Sequence, residues 1–187
     1  MAHFLDYNGP RGYLEIIKTE NGKSEVIFSD HNDICIGMGQ TLAGLFDPNN
    51  TNKDVLDYRI RYFQLGKAAG TGASATRSCS SVLNAAEYGA NTSLNIVYRD
   101  VYADVPVTQA MAVIADNQIT RGGSDRISYS LTLDQNTANT TLAEIALLSH
   151  EPIEGAVGKS PIVAYRTFPT ITKTSSFDLT IKWTIEF

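Results

Sequence analysis

The stretch GAVGKS ends at Gly158-Lys159-Ser160, the three residues that close a phosphate-binding loop, where backbone amides and a lysine cradle a nucleotide's phosphates. That loop also needs a glycine five residues before Gly158. Position 153 is Ile153, and Pro161 follows directly where the motif requires a helix, so the stretch reads as a turn. GMGQTLAG supplies a G-x-G at Gly37 and Gly39, but its third glycine is Gly44 rather than residue 42, and the dinucleotide pattern fails. His31 and Asp33 are two apart and would share one face of a strand as metal ligands, yet the sequence nominates no third donor; His3 and His150 have no acidic or cysteine partner at ligand spacing. Ser74, in Gly72-Ala73-Ser74-Ala75-Thr76, lacks the second glycine of a nucleophile elbow. Glu144, within LAEIAL, is the acid in the most apolar setting, and alternation places it on the wet face of a half-buried strand. The expectation is a chain with no catalytic constellation, no metal and no cofactor.

Bulk properties agree with a folded, non-basic chain. It has 187 residues, of which 43% are hydrophobic and 19% charged, enough to bury one core without staples. The formal net charge of −5, with no dense Lys/Arg cluster beyond Arg59 and Arg61, gives no basic surface for direct nucleic-acid binding. No stretch approaches the roughly 18 apolar residues that cross a bilayer, and MAHFLDYNGPRG lacks the apolar core of a secretory signal. Folding in a cytoplasm, away from membranes, is expected. Cys35 and Cys79 match no metal or redox spacing and read as buried free thiols. The three N-x-[ST] sequons carry no meaning without secretion.

The elements that would position these residues are mostly strands. GYLEIIK (12–18) and SEVIFS (24–29) flank Asn21-Gly22, a strong hairpin signal. A helical turn fits 41–46, closed by Asp47-Pro48-Asn49-Asn50, and a strand fits 58–65. SLNIVYRDVYADV, VTQAMAVIADNQI and RISYSLTLD read as strands; TLAEIALLS is ambiguous between strand and helix, and its strand neighbours favour strand. A strand at 162–168 is bounded by Pro161 and Pro169. The last eleven residues, FDLTIKWTIEF, alternate without error, so Leu179, Ile181, Trp183, Ile185 and Phe187 are expected to face a core with Phe177. Between them, residues 66–93 are crowded with Gly, Ala, Ser and Thr, with one short helix expected at 81–88 under a Ser80 N-cap and ended by Gly89. The fold class is mainly β: an antiparallel β-sandwich or barrel-like single domain over 1–187, with one or two short helices and 66–93 as a long extended arm.

Three stretches, YRIRYFQLG (58–66), TLAEIALLS (141–149) and AYRTFPTITKTSSFDLTIKWTIEF (164–187), resemble tailed-bacteriophage virion proteins. The shared text is an x-I-x-x-F-x-x-G strand, then (I/L)-x-E-(I/V)-x-L, then Arg-Thr-Phe-x-x-(I/Q)-x-K-(T/G) running into a final W-T-I-x-F strand; the matches cover about a quarter of the chain. The resemblance implies a structural subunit of the neck, collar, tail or fibre-attachment region, assembled in the bacterial host cytoplasm and located in the virion. Its partners would be copies of itself and neighbouring portal, neck, tail or capsid proteins. A capsid decoration (cement) subunit and a carbohydrate- or host-receptor-binding sandwich are the alternatives, the latter needing exposed rings for which Tyr98, Tyr102 and Tyr165 are candidates, although core or interface packing is the favoured reading of each.

For a subunit of this kind the expected contact elements are the 66–93 arm, the 31–57 loop and any open strand edge. On the arm, Lys67, Arg77, Val82, Leu83 and Tyr88 are the expected interface residues, the arm becoming ordered against a neighbour and offering trypsin its first cuts after Lys67 or Arg77 in the free subunit.

Overall fold

A computed structural model of the chain describes residues 9–47, 49, 58–68, 79–89, 94–100, 108–149 and 160–187. Chain direction first reverses at Asn21 and Gly22, whose φ angles of 51° and 73° make the two-residue turn that suits a right-twisted hairpin. It joins β1 (Arg11–Glu20) to β2 (Lys23–Ile34), both longer than the apolar runs alone indicated. A bulge opposite Ile16 and Ile17 lets β2 bend, so that its far end, Asp33 and Ile34, pairs with a second group of strands.

The remaining strands are β3 (Ile60–Gly66), β4 (Ile96–Asp100), β5 (Thr108–Val113), β6 (Ile119–Arg121), β7 (Arg126–Leu133), β8 (Thr141–Ser149), β9 (Ile162–Thr172) and β10 (Asp178–Glu186). They form one curled, barrel-like antiparallel sheet in the order β4-β5-β3-β8-β9-β2-β1-β10-β7-β6. The mainly-β class expected from the sequence is therefore the class observed. Curling brings the two halves of the sheet face to face. Leu14, Ile16, Leu131, Leu179, Ile181, Trp183 and Ile185 from one half share a core with Phe63, Leu65, Ile145, Leu147 and Phe168 from the other. The rings of Phe63 and Trp183 lie 6.4 Å apart, and those of Phe28 and Phe168 lie 5.8 Å apart across the bend.

Several expectations are corrected. The single turn at 41–46 is an eleven-residue helix, α1 (Ile36–Phe46). Its glycines weaken helix propensity, but at Gly37 an added Cβ would meet the Ile162 carbonyl oxygen at 2.2 Å, so the glycine lets the helix lie directly on β9. Pro169 does not end β9. The β8–β9 register shifts between Leu142 and Glu144, and Pro169 occupies this irregularity, where no ladder N–H is required of it. In β10, Leu179, Ile181, Trp183 and Ile185 are fully buried, whereas Phe187 is 39% exposed. Among the described residues the ladders of β10 end at Glu186, opposite Arg11 and Arg126, one residue short of Phe187, whose N–H donates to the Asp125 carbonyl at 2.8 Å. Among the described residues no helix is long and apolar enough to cross a membrane.

Candidate functional site

The connection after β3 was expected to be a free arm. Its described parts, 66–68 and 79–89, are docked on the chain's own sheet. Residues 81–83 run beside the end of β3: the Lys67 N–H donates to Ser81 O at 2.8 Å, the Leu83 N–H to Leu65 O at 3.0 Å, and Val82 bridges Gly66. This extended pairing uses the residues expected to begin a helix, so the helix is shorter, α2 (Ala85–Tyr88), and Asn84 rather than Ser80 caps it, with Glu87 completing a reciprocal box. Leu83 and Tyr88 are fully buried in the shared core, and the Tyr88 hydroxyl accepts from the Leu65 N–H at 3.3 Å. Both therefore serve this chain's interior, and neither is presented to a neighbour as expected. A segment poor in large apolar residues cannot build a core, but these two side chains let it complete an existing one. Val82 is half-buried. Lys67 pairs with Glu87, and that hydrogen bond holds the Glu87 carboxyl below the usual glutamate range. Arg77 lies outside the described residues.

Glu144 fastens this connection. Alternation assigned it to a wet face, but β8 is buried on both faces: Ile145 and Leu147 point into the main core, while Ala146 and Leu148 join Tyr62, Met111, Ile162 and Tyr165 in a second cluster on the opposite side. Glu144 is on that second side and fully buried. Its Oε1 accepts from the Ser80 N–H at 2.5 Å, the Ser80 hydroxyl at 2.8 Å and the Ser81 N–H at 3.1 Å; its Oε2 accepts from the Tyr165 hydroxyl at 2.6 Å. Peptide and hydroxyl donors thus satisfy the carboxylate, as burial of such a group requires. Gly66 makes room for it: a Cβ there would stand 2.4 Å from Oε1. This is a staple between distant segments. Tyr165, a candidate ring only under the carbohydrate-binding alternative and otherwise expected to pack, is buried in the same staple. Tyr98 stands opposite Ala110 on β4, and Tyr102 lies outside the described residues.

A second buried charge was missed in the sequence. The Lys173 ammonium, buried against the Phe177 ring at 5.7 Å, donates to Asp134 O at 2.5 Å and Asn139 Oδ1 at 3.1 Å, clamping the turn between β7 and β8. Burial lowers its pKa, with Asp134 and Asp178 acting in the opposite direction. The signal available for it was a lysine following the alternating run of β9.

His31 is exposed and meets the edge of the Tyr13 ring at 5.7 Å; Asp33 is half-buried. Among the described residues no three His, Cys, Asp or Glu side chains are grouped to hold a metal. Cys35 and Cys79 are both free and buried. Burial, with a smaller contribution from Asp33, pushes the Cys35 thiol up to about 12, and burial beside Glu144 pushes Cys79 well above its ordinary value. Because the thiolate is the reactive form, neither cysteine is expected to react with an aromatic disulfide reagent in the folded protein at neutral pH, and both should react in denaturant. Rapid labelling of the native chain would contradict the packing described here.

Besides Tyr13, Ile36 and Phe187, the described residues expose large apolar side chains at the β1–β2 hairpin and at the end of α1. Residues 21–27 at the tip of the β1–β2 hairpin are all exposed, with Val26 at 54%. The end of α1 shows Leu45 and, at 77%, Phe46. Beside the hairpin tip, Lys18, Glu20, Asn21, Lys23, Ser24 and Glu25 line an open cavity of about 460 Å³. No family model matches the chain, and neither a curated protein nor a solved structure matches it.

Proposed function

We propose that this chain is a non-enzymatic structural subunit of a bacteriophage particle, self-associating in a ring or lattice at the neck, collar or tail and contacting neighbouring virion proteins. The observation that carries this reading is the coincidence of the virion-like stretches with the framework of the sheet. They fall on β3, β8 and β9, which are adjacent, and on β10. Within the Arg-Thr-Phe…Lys stretch, three marked side chains have framework roles: Arg166 pairs with Asp30 across the bend, Phe168 packs on Phe28, and Lys173 clamps a turn. The buried acid and the buried lysine are both occupied in holding segments together, which supports a structural role. A capsid-surface position is the variant of this reading that the same features accommodate.

The test is compositional. Particles purified from lysates of the producing bacteria should contain the chain in a fixed ratio to the major capsid protein by quantitative mass spectrometry. Its absence from purified particles, with the chain left entirely in the soluble fraction, would overturn the proposal.

A further inference from the structure

We propose that two copies of this chain pair antiparallel through the outer edge of β2, with Ser24 of one copy facing Ser24 of the other across a two-fold axis. The partner is a second copy of the same edge, and the inference stands independently of where the subunit sits in a particle.

Four observations converge on it. Strand β2 pairs with β1 from Lys23 to Asn32 but with β9 only at Asp33 and Ile34, so among the described residues no strand occupies its other edge near the tip. Residues 21–27 are exposed, which leaves both faces of that edge open to an incoming strand. An edge with unpaired N–H and C=O groups is a template for strand addition.

The hairpin geometry then sets which groups point outward. With a two-residue turn, Glu20 and Lys23 form the hydrogen-bonded pair next to the turn, and the pattern alternates along the strand. Lys23 and Glu25 therefore direct their peptide groups toward β1, while Ser24 and Val26 direct theirs outward. The close Thr19–Ser24 hydroxyl pair, at 2.8 Å, fits a non-hydrogen-bonded position on the β1 side. Beyond Val26 the bulge at Ile27 breaks the alternation, so a regular ladder is confined to the residues nearest the turn.

Charge selects the register within that short ladder. Centred on Ser24, the pairing sets Lys23 of each copy opposite Glu25 of the other, two complementary contacts made by one operation. Centred on Val26, it would face Glu25 with Ile27 across the bulge. Centred on Glu25, it would oppose two carboxylates and use peptide groups already bonded to β1. In the Ser24 register Val26 lies over Gly22 of the second copy, which covers its exposed methyl groups. Like charges directly opposite are unfavourable and opposite ones favourable, so the Lys-Ser-Glu order is self-complementary.

The ladder is short, so association is reversible in dilute solution and strengthened where many copies are held together. Analytical ultracentrifugation of the full chain should show the average mass rising with concentration from 20.4 kDa toward twice that value. Directly opposed Cα atoms at a hydrogen-bonded pair lie about 5.5 Å apart, within disulfide reach. Ser24→Cys should therefore cross-link to a dimer on mild oxidation, with the buried native thiols taking no part. Val26→Cys should not, because the two Val26 Cα atoms are separated by about 13 Å along the strand. Lys23→Glu should abolish the rise in mass, and Lys23→Glu combined with Glu25→Lys should recover it. That double exchange worsens both in-chain pairs, Glu20 with Lys23 and Lys18 with Glu25, so recovery can arise only between copies. A mass constant at 20.4 kDa with uncross-linked Ser24→Cys overturns the proposal and leaves the edge to a strand of a different protein. Cross-linking at Val26 as readily as at Ser24 overturns the register.

Discussion

Trp183→Ala is expected to lower the unfolding free energy by about 3–5 kcal/mol, the range for deleting a large buried aromatic side chain. Trp183 is fully buried in β10, between Leu14 of β1 and Tyr129 of β7, with the Phe63 ring above it. Its Nε1–H donates to Asn32 Oδ1 at 2.8 Å, and the Asn32 side chain occupies the space over Gly12, where a Cβ would approach Oδ1 to 1.9 Å. Glycine, asparagine and tryptophan on three neighbouring strands thus fit as a unit. Trp183→Phe should keep most of the packing but strand the Asn32 acceptor, costing about 1–3 kcal/mol. Gly12→Val should be at least as damaging as Trp183→Phe, because it displaces Asn32 from the indole. Domains of this size are stable by only about 5–15 kcal/mol, so Trp183→Ala consumes a large share, and removal of residues 183–187 should leave an insoluble or molten chain. Urea unfolding followed by circular dichroism measures each loss. An alanine variant within about 1 kcal/mol of the parent would show that the sheet closes without this side chain.

Glu144→Ala should be the second large effect. It removes the acceptor of the Ser80 and Ser81 N–H groups and of the buried Tyr165 hydroxyl, while the Ser80 hydroxyl keeps Ala68 O at 3.3 Å; each such loss costs about 1–3 kcal/mol where the group stays buried. Glu144→Gln should be far milder. Its amide oxygen can still accept from Ser80 and Ser81, and its NH2 can donate to the Tyr165 oxygen. The structural readout is proteolysis at Lys67, whose peptide is paired with Ser81. In the parent protein the bond after Lys67 should resist trypsin even in the isolated subunit, contrary to what a free arm would show. In Glu144→Ala it should be cut early, because residues 79–83 lose their attachment. Parental stability and parental protection in the alanine variant together would show the staple to be idle.

The sequence was most legible where one face of a strand is wet. β10 alternates because Thr180, Lys182 and Thr184 look outward, so its inward residues could be named in advance. β8 defeated the same rule, since a strand covered on both faces has no wet side on which to put Glu144. Helix α1 was underestimated because its extent depends on Gly37 fitting the β9 backbone, a tertiary contact with no periodic trace. The 66–93 composition suggested a free arm, but two side chains, Leu83 and Tyr88, draw its described part inward. The open edge of β2 was foreseen only as a category of contact. Its register depends on the turn type and on a bulge, and the bulge becomes visible only when both strands are in place.

The position of β10 has a consequence for how the protein is made. It lies between β1, near the start of the chain, and β7, past its middle, and it is the last strand of the sheet to be synthesised. While residues 178–186 are still in the ribosomal exit tunnel, β1 and β7 have emerged with their facing edges bare, and Leu14, Ile16 and Leu131 have no indole to pack against. That half of the sheet therefore closes only after translation has passed β10, in one late step that joins segments far apart in the chain, the slow kind of contact to form. During this interval the nascent chain presents adhesive edges to every other nascent copy. Growth temperature and chaperone supply during expression should govern its yield more than the stability of the finished fold.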